Sequence, residues 1–258
     1  MRTRLMVGFL IASVIAGGNA MAQTTKPAYD EANSPLTGAP KDPSPAWSIA
    51  AGGRMYDNWW MALGVRKPVG AHPAYPASSE IKGEATFRCK ECHGWDYRGR
   101  DGEYATGKHA TDIKGIRGAA GRTPTGIATM LRAAPHGYTP QMIADADLMR
   151  LALFVSRGQH DVRRIIDARK GEIRGNAANG RGIFQTTCAT CHGYDGRLLN
   201  WGTKEEPEYV GTAVEISAAE VLHKIRNGHP GAAMVNLRAF SLETAADVLA
   251  YAKSLPTK

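Results

Sequence analysis

A nine-residue pattern occurs twice in this chain, and it restricts the fold more than any other feature. Arg88-Cys89-Lys90-Glu91-Cys92-His93-Gly94-Trp95-Asp96 returns as Thr187-Cys188-Ala189-Thr190-Cys191-His192-Gly193-Tyr194-Asp195, with every cysteine displaced by 99 residues. The two copies use all 4 cysteines of the 258 residues. Their surroundings repeat as well. Gly53-Arg54-Met55-Tyr56 upstream of the first copy is matched by Gly180-Arg181-Gly182-Ile183-Phe184 before the second. Downstream, Thr123 followed by Pro124 predicts a helix start, with Leu131 and Arg132 near its end. In the second half Ser217 and Glu220 form a capping box and Gly228 a terminator. Apolar periodicity then predicts closing helices over Ala146–Ser156 and Thr244–Ser254.

The unit that repeats is therefore a small, mostly α-helical domain. The first spans residues 48–158 and the second 177–258. Ordered structure is expected from Ser48, where Tyr56, Trp59, Trp60 and Leu63 fall at i, i+3, i+4 and i+7 on one helical face. Val65 to Gly83, with three prolines, reads as a loop over the first domain. Residues 159–176 carry Arg163, Arg164, Arg169, Lys170 and Arg174 and read as a basic, solvated linker.

Arg2 and Arg4, the apolar stretch Leu5 to Gly17 and Ala20-Met21-Ala22 make residues 1–22 a cleavable signal peptide, so the expected location is periplasmic. The stretch is shorter than the roughly 18 residues of a membrane span, which argues against an uncleaved anchor. Residues 23–47 are Pro-rich and read as flexible. Cleavage would leave 30 Lys+Arg against 24 Asp+Glu, a charge of +6. That balance favours partners with acidic docking faces, or peripheral association with an anionic membrane surface or a complex. Nucleic acid is not expected, because no dense basic run alternates with aromatics.

Cys-x-x-Cys-His is the attachment signature of c-type haem. Two thiols three positions apart lie on one helical turn, where they reach the two porphyrin vinyl groups and form thioethers. The following histidine supplies the proximal imidazole to iron. Two covalently bound haem c groups are thus expected, attached through Cys89, Cys92, Cys188 and Cys191 and ligated by His93 and His192. A zinc or iron–sulfur site, a redox dithiol or structural disulfides would leave unexplained why a histidine follows both pairs. Trp95, Asp96, Tyr194 and Asp195 read as packing and turn residues.

With these motifs the chain resembles di-haem c-type cytochromes built from two tandem class I-like domains, over roughly Ser48 to Leu255. The resemblance implies that each domain encloses one haem and packs its first and last helices together. It also implies a carrier of single electrons between redox protein partners rather than an enzyme. Arg226-Asn227-Gly228-His229-Pro230-Gly231-Ala232-Ala233-Met234 is similar to the segment that delivers methionine to iron in this family, with Val235 where proline is common. Met234 is the expected sixth ligand and His229 the alternative; His223 is expected at the surface. In the first domain the candidates are His109, Met130, His136, Met142 and Met149. Met130 and Met149 sit at core-like helical spacing. Aligning Phe154 with Tyr251 carries Met234 to position 137, whereas aligning Arg132 with Arg226 carries it to position 140. His136 is favoured, with Met142 or an open site as alternatives. Two rival functions stay open: a haem subunit of a larger dehydrogenase or reductase, and a haem enzyme with an open axial position in the first domain.

Overall fold

Ser44 starts the first helix. Its hydroxyl accepts the Trp47 N–H at 3.2 Å, and Pro45 takes the first helical position. The computed structural model describes residues 40–258, so the expected signal peptide, 1–22, and most of the Pro-rich segment 23–47 lie outside the described residues. Helix α1, Pro45–Leu63, begins ahead of Ser48 because the Ser-Pro pair, rather than the first apolar residue, sets the start. It breaks helical geometry at Asn58 (φ −156°, ψ 97°), whose Oδ1 accepts the Met61 N–H at 3.1 Å, and ends on left-handed Gly64.

The rest of the first half comprises α2 (Cys89–His93), α3 (Pro124–Arg132) and α4 (Asp145–Leu153), which runs on as a π-helical turn, Phe154–Gly158. In the second half α5 (Ala177–Ile183) passes through a π-turn, Phe184–Cys188, into α6 (Ala189–His192), followed by α7 (Val210–Asn227) and α8 (Leu242–Lys253). Thr123 caps α3 as expected, its Oγ1 accepting from Gly126 N at 3.4 Å. Of the expected Ser217/Glu220 box one half forms, Ser217 Oγ accepting from Glu220 N at 3.3 Å, while Glu220 Oε1 accepts from Lys224 Nζ. Ser217 sits at a kink (φ −155°, ψ 87°) inside α7 rather than at its start, because Val210–Ile216 adds helix in front of it.

Within each half the first and last helices cross closely. A Cβ on Gly52 would overlap the Arg150 carbonyl of α4, and one on Gly180 would overlap the Asp247 carbonyl of α8. Four residues after each glycine an aromatic ring meets the closing segment: Tyr56 lies 5.3 Å from Phe154, and Phe184 lies 5.4 Å from Tyr251. The upstream match is therefore Gly52 with Gly180, one residue earlier than the written Gly-Arg alignment, because the crossing point decides the register. One apolar core lies under α1, α3 and α4 and a second under α5, α7 and α8.

Three expectations change. The connector is not a solvated coil: it contains the antiparallel hairpin β1 (Ile166–Asp167) and β2 (Glu172–Ile173), and it buries Val162 and Ile165. Met130 and Met149 are 40% and 38% exposed, so their helical spacing places them on the outer faces. His223 is fully buried, because α7 packs against α1 across the two halves. As a result α1 is covered on both sides, with Gly53 against Asn227 and Gly52 against α4.

These crossings predict opposite effects for three alanine substitutions. Gly52→Ala and Gly180→Ala each lower unfolding free energy by roughly 1–3 kcal/mol, because backbone must move. Gly182→Ala, whose Cβ meets open space in the same helix as Gly180, raises it by up to about 1 kcal/mol. Urea unfolding of the three variants checks the pattern.

Candidate functional site

Each Cys-x-x-Cys-His turn ends in the same backbone device. Gly94 (φ 77°, ψ 161°) and Gly193 (φ 78°, ψ 159°) reverse the chain, in a region that residues with a Cβ rarely enter. The loops that follow share their first hydrogen bonds at the same 99-residue displacement. His93 O accepts from Gly99 N at 2.9 Å and His192 O from Leu198 N at 3.0 Å. Asp96 Oδ1 accepts from Arg98 N at 3.0 Å and Asp195 Oδ1 from Arg197 N at 3.1 Å, so both aspartates are turn residues. Where the second copy has left-handed Gly196 (φ 75°), the first holds Tyr97 at φ 63°.

In the first half, burial pushes the Cys89 and Cys92 thiols up to about 12, so both are neutral thiols. The His93 imidazole is drawn down to about 4 by burial. Its Nδ1–H donates to Lys114 O at 2.7 Å, delivered by the Gly99–Lys114 bridge, which leaves Nε2 as a free lone pair. His136 comes to meet it: the two ring centres lie 6.2 Å apart with planes inclined by 37°. Two metal–nitrogen bonds of roughly 2 Å, plus the half-widths of two imidazoles, fill such a gap. The His136 loop is braced by His72, whose Nε2–H donates to His136 O at 3.0 Å while Nδ1 accepts from Ala74 N at 3.1 Å. Of the other candidates, His109 donates to Glu91 (2.9 Å) and stacks on Tyr104, and Met142 packs against the apolar core.

The second half is more open. Burial lifts the Cys188 thiol to about 11 and lowers the His192 imidazole. His192 Nδ1 is buried without a hydrogen-bond partner, and the Trp201 ring stands 5.6 Å away. Met234 lies half-buried in the loop between α7 and α8, its N–H donated to Ala232 O at 2.8 Å. His229 Nδ1 accepts from Gly231 N at 3.1 Å, so one of its ring nitrogens is engaged within the loop.

The two motifs are joined through the interface. His223 Nε2–H donates to Gly53 O (2.8 Å), and Nδ1 accepts from the Tyr97 hydroxyl (2.9 Å). Lys224 Nζ reaches Asp57 Oδ2 at 3.0 Å and lies 5.0 Å from the Trp95 ring centre. Asp57 also pairs with Arg88, the residue before Cys89. Burial opposes the charge on Asp57, but Lys224 and Arg88 overcome it and hold the carboxyl at about 2. Close by, Glu103 accepts from Trp95 N at 2.5 Å, and burial together with the Asp96 carboxylate raises it to about 7.

The side chains present fit haem rather than a four-thiolate metal. Among the described residues no three His, Cys, Asp or Glu groups converge on a metal position, and no cysteine pair is bridged. In the first half, partly buried thiols beside an imidazole with a free Nε2 suit thioether attachment and axial ligation. The helical frame and the motif define a c-type cytochrome domain, a class of electron-transfer protein with covalently bound haem. Residues 175–251, under a third of the chain, match the family described as cytochrome C oxidase, cbb3-type, subunit III. A comparison with curated proteins finds no match.

Several contributors leave little trace in sequence. Lys114 acts through its carbonyl, which any residue would supply. His72 lies in a Pro-rich loop, and His223 belongs to a contact between halves. Glu103 lies beyond the repeated motif, and the position 99 residues on is Gly202. The ion pairs give a pH-dependent test. The Asp57 carboxyl is depressed from 3.8, so its stabilisation is present above that value and disappears as pH falls towards about 2. Asp57→Asn, which removes a buried carboxylate shared by the half-buried Arg88 and Lys224, costs roughly 1–3 kcal/mol at neutral pH and lacks this acid-dependent loss. Urea titrations from pH 7 to pH 2 follow both effects.

Proposed function

We propose that this protein is an exported di-haem c-type cytochrome that carries single electrons between redox partners. Cys89, Cys92 and His93 would hold one haem with His136 as the sixth ligand, and Cys188, Cys191 and His192 would hold the other with Met234. The observation that carries the reading is the 6.2 Å approach of His93 and His136 from separate segments. Position in the loop supports it further. Tyr138 N donates to Leu131 O, and Leu237 N donates to Ile225 O. These bonds tie the equivalent loops at Tyr138 and Leu237. His136 precedes its anchor by two residues and Met234 by three, whereas Met142 follows.

Haem supplies an iron that cycles between ferric and ferrous states. The chain's own work is to hold, orient and shield. Each Cys-x-x-Cys turn fixes two thiols on one face, and the glycine after it sends the chain away. Lys114 O orients the His93 ring and raises its basicity through Nδ1. Trp59, Tyr138 and Phe87 pack beside the first motif and keep water away, Phe87 O accepting from Tyr138 Oη (2.9 Å) and Trp59 Nε1 (3.2 Å). A His/His site beside a His/Met site would have unequal potentials, methionine raising the second, so electrons would run from the first half to the second.

A second reading is favoured by the family match, whose description names an oxidase subunit: the protein would be a haem subunit docked on a larger redox complex. Among the described residues no helix is long and apolar enough to cross a membrane. The paired His93 and His136 speak against an enzyme with an open first site.

The purified protein is expected to keep its pigment in acidified organic solvent, with mass for two haems. Electron paramagnetic resonance of the oxidised form should give one His/His and one His/Met signal. His136→Ala should make the first haem bind carbon monoxide, and Met142→Ala should not. Loss of the pigment to solvent, or a single haem per chain, would overturn the assignment.

A further inference from the structure

The helix that precedes each proposed ligand loop ends in a buried or half-buried arginine, and both arginines do the same thing. Arg132 closes α3. Its Nη1 donates to Tyr138 O at 2.8 Å, and its Nη2 donates to Ile143 O at 2.8 Å and to Asp145 Oδ1 at 2.6 Å. Arg226, one residue from the end of α7, donates through Nη1 to Leu237 O at 2.8 Å, Phe240 O at 2.6 Å and Ser241 O at 3.2 Å. Each guanidinium therefore spans from the loop's anchor residue to the entrance of the closing helix. The residue before each arginine accepts the anchor's N–H, Leu131 O from Tyr138 at 3.1 Å and Ile225 O from Leu237 at 2.8 Å.

This double tie turns the intervening chain into a closed ring. The ring contains five residues between Arg132 and Tyr138 and ten between Arg226 and Leu237, with His136 in the first and Met234 in the second. The clamp is thus common to both halves although the loops differ in length and in the side chain they carry. A guanidinium suits the task because its terminal nitrogens reach several oxygens at once, Arg132 through both and Arg226 through Nη1, whereas an ammonium is only a point charge. Among the described residues Arg226 makes no ion pair with a carboxylate; its hydrogen bonds go to loop carbonyls through Nη1, and its Nε is buried without a partner.

We propose that Arg132 and Arg226 are positioning residues that hold the sixth-ligand loops against the iron, each acting on its own site. The inference rests on the di-haem reading given above. The alternative is that they are ordinary buried arginines that stabilise the fold without bearing on ligation.

The test uses the full-length holoprotein and the variants Arg132→Leu and Arg226→Leu, with Arg132→Lys and Arg226→Lys as milder forms that fold if the leucine variants do not. Arg117→Leu is the control. Arg117 donates to His160 O at 3.1 Å, away from both loops. Three properties are measured: carbon monoxide binding to each reduced haem, the paramagnetic resonance signal of each oxidised haem, and hydrogen exchange over 133–144 and 227–241. Arg132 variants should weaken sixth ligation about tenfold or more at the first haem, speed exchange in 133–144, and leave the second signal unchanged. Arg226 variants should do the reverse. Arg117→Leu should lower stability without altering either signal. If the Arg132 and Arg226 variants behave as Arg117→Leu does, or if each perturbs both haems equally, the clamp is refuted. Absence of covalent pigment from the unsubstituted protein would instead refute the haem reading, which the solvent extraction detects on its own.

Discussion

Two helix pairs in this molecule touch backbone to backbone, and the rest of the architecture is hung from those contacts. At Gly52 and Gly180 there is no room for even a methyl group, so α1 meets α4, and α5 meets α8, at a single permitted register. Interiors this dense tolerate little sliding. Once the crossing is set, the aromatic residue four positions on must meet the closing segment, as Tyr56 meets Phe154 and Phe184 meets Tyr251. The crossing also fixes where the cysteine turn lies relative to the closing helix, and the ligand loop must span what remains. A small change at the crossing would therefore be felt at the imidazole.

On that shared frame the halves diverge through their loops. The longer loop after the first motif brings Lys114 O to His93, whereas His192 Nδ1 has no partner in the shorter one. The loop between α3 and α4 is short and braced by His72, whereas the loop between α7 and α8 is longer and leaves Val235 and Phe240 exposed. Tyr97 shows the cost of specialisation. It holds a left-handed conformation that its counterpart Gly196 adopts freely, a strain of roughly 1–2 kcal/mol, and its hydroxyl is the partner of His223 across the interface.

What the sequence discloses is what local rules control. The duplicated turn, the caps at Thr123 and Ser217 and the aromatic face of α1 all depend on residues a few positions apart. The pairing of Arg132 with Arg226 was also visible as an alignment, although its meaning as a clamp needed the carbonyls on the far side of the loop. What stayed hidden depends on contacts distant along the chain. Helical spacing gives Met130 and Met149 a face without saying which face is covered. His223 reads as a surface residue until α1 is laid against it. The connector, rich in arginine, reads as solvated because its apolar residues, Val162 and Ile165, are few and widely spaced. The register of the two loops reads ambiguously for the same reason: two equally good local alignments disagree, and the ties at Tyr138 and Leu237 are made to residues outside each loop.

The burial of α1 on both sides has a consequence for anything that docks on this protein. Tyr56, whose ring lies 5.6 Å from His223, forms an inner wall shared by the two halves, and Trp59 and Trp60 are buried further along the same helix. The hairpin between the halves is accordingly a strap over a joint and not a tether between beads. Severing it would free no independent module, since each fragment would turn a face meant for its neighbour, with rings on one side and stranded charges on the other, towards water.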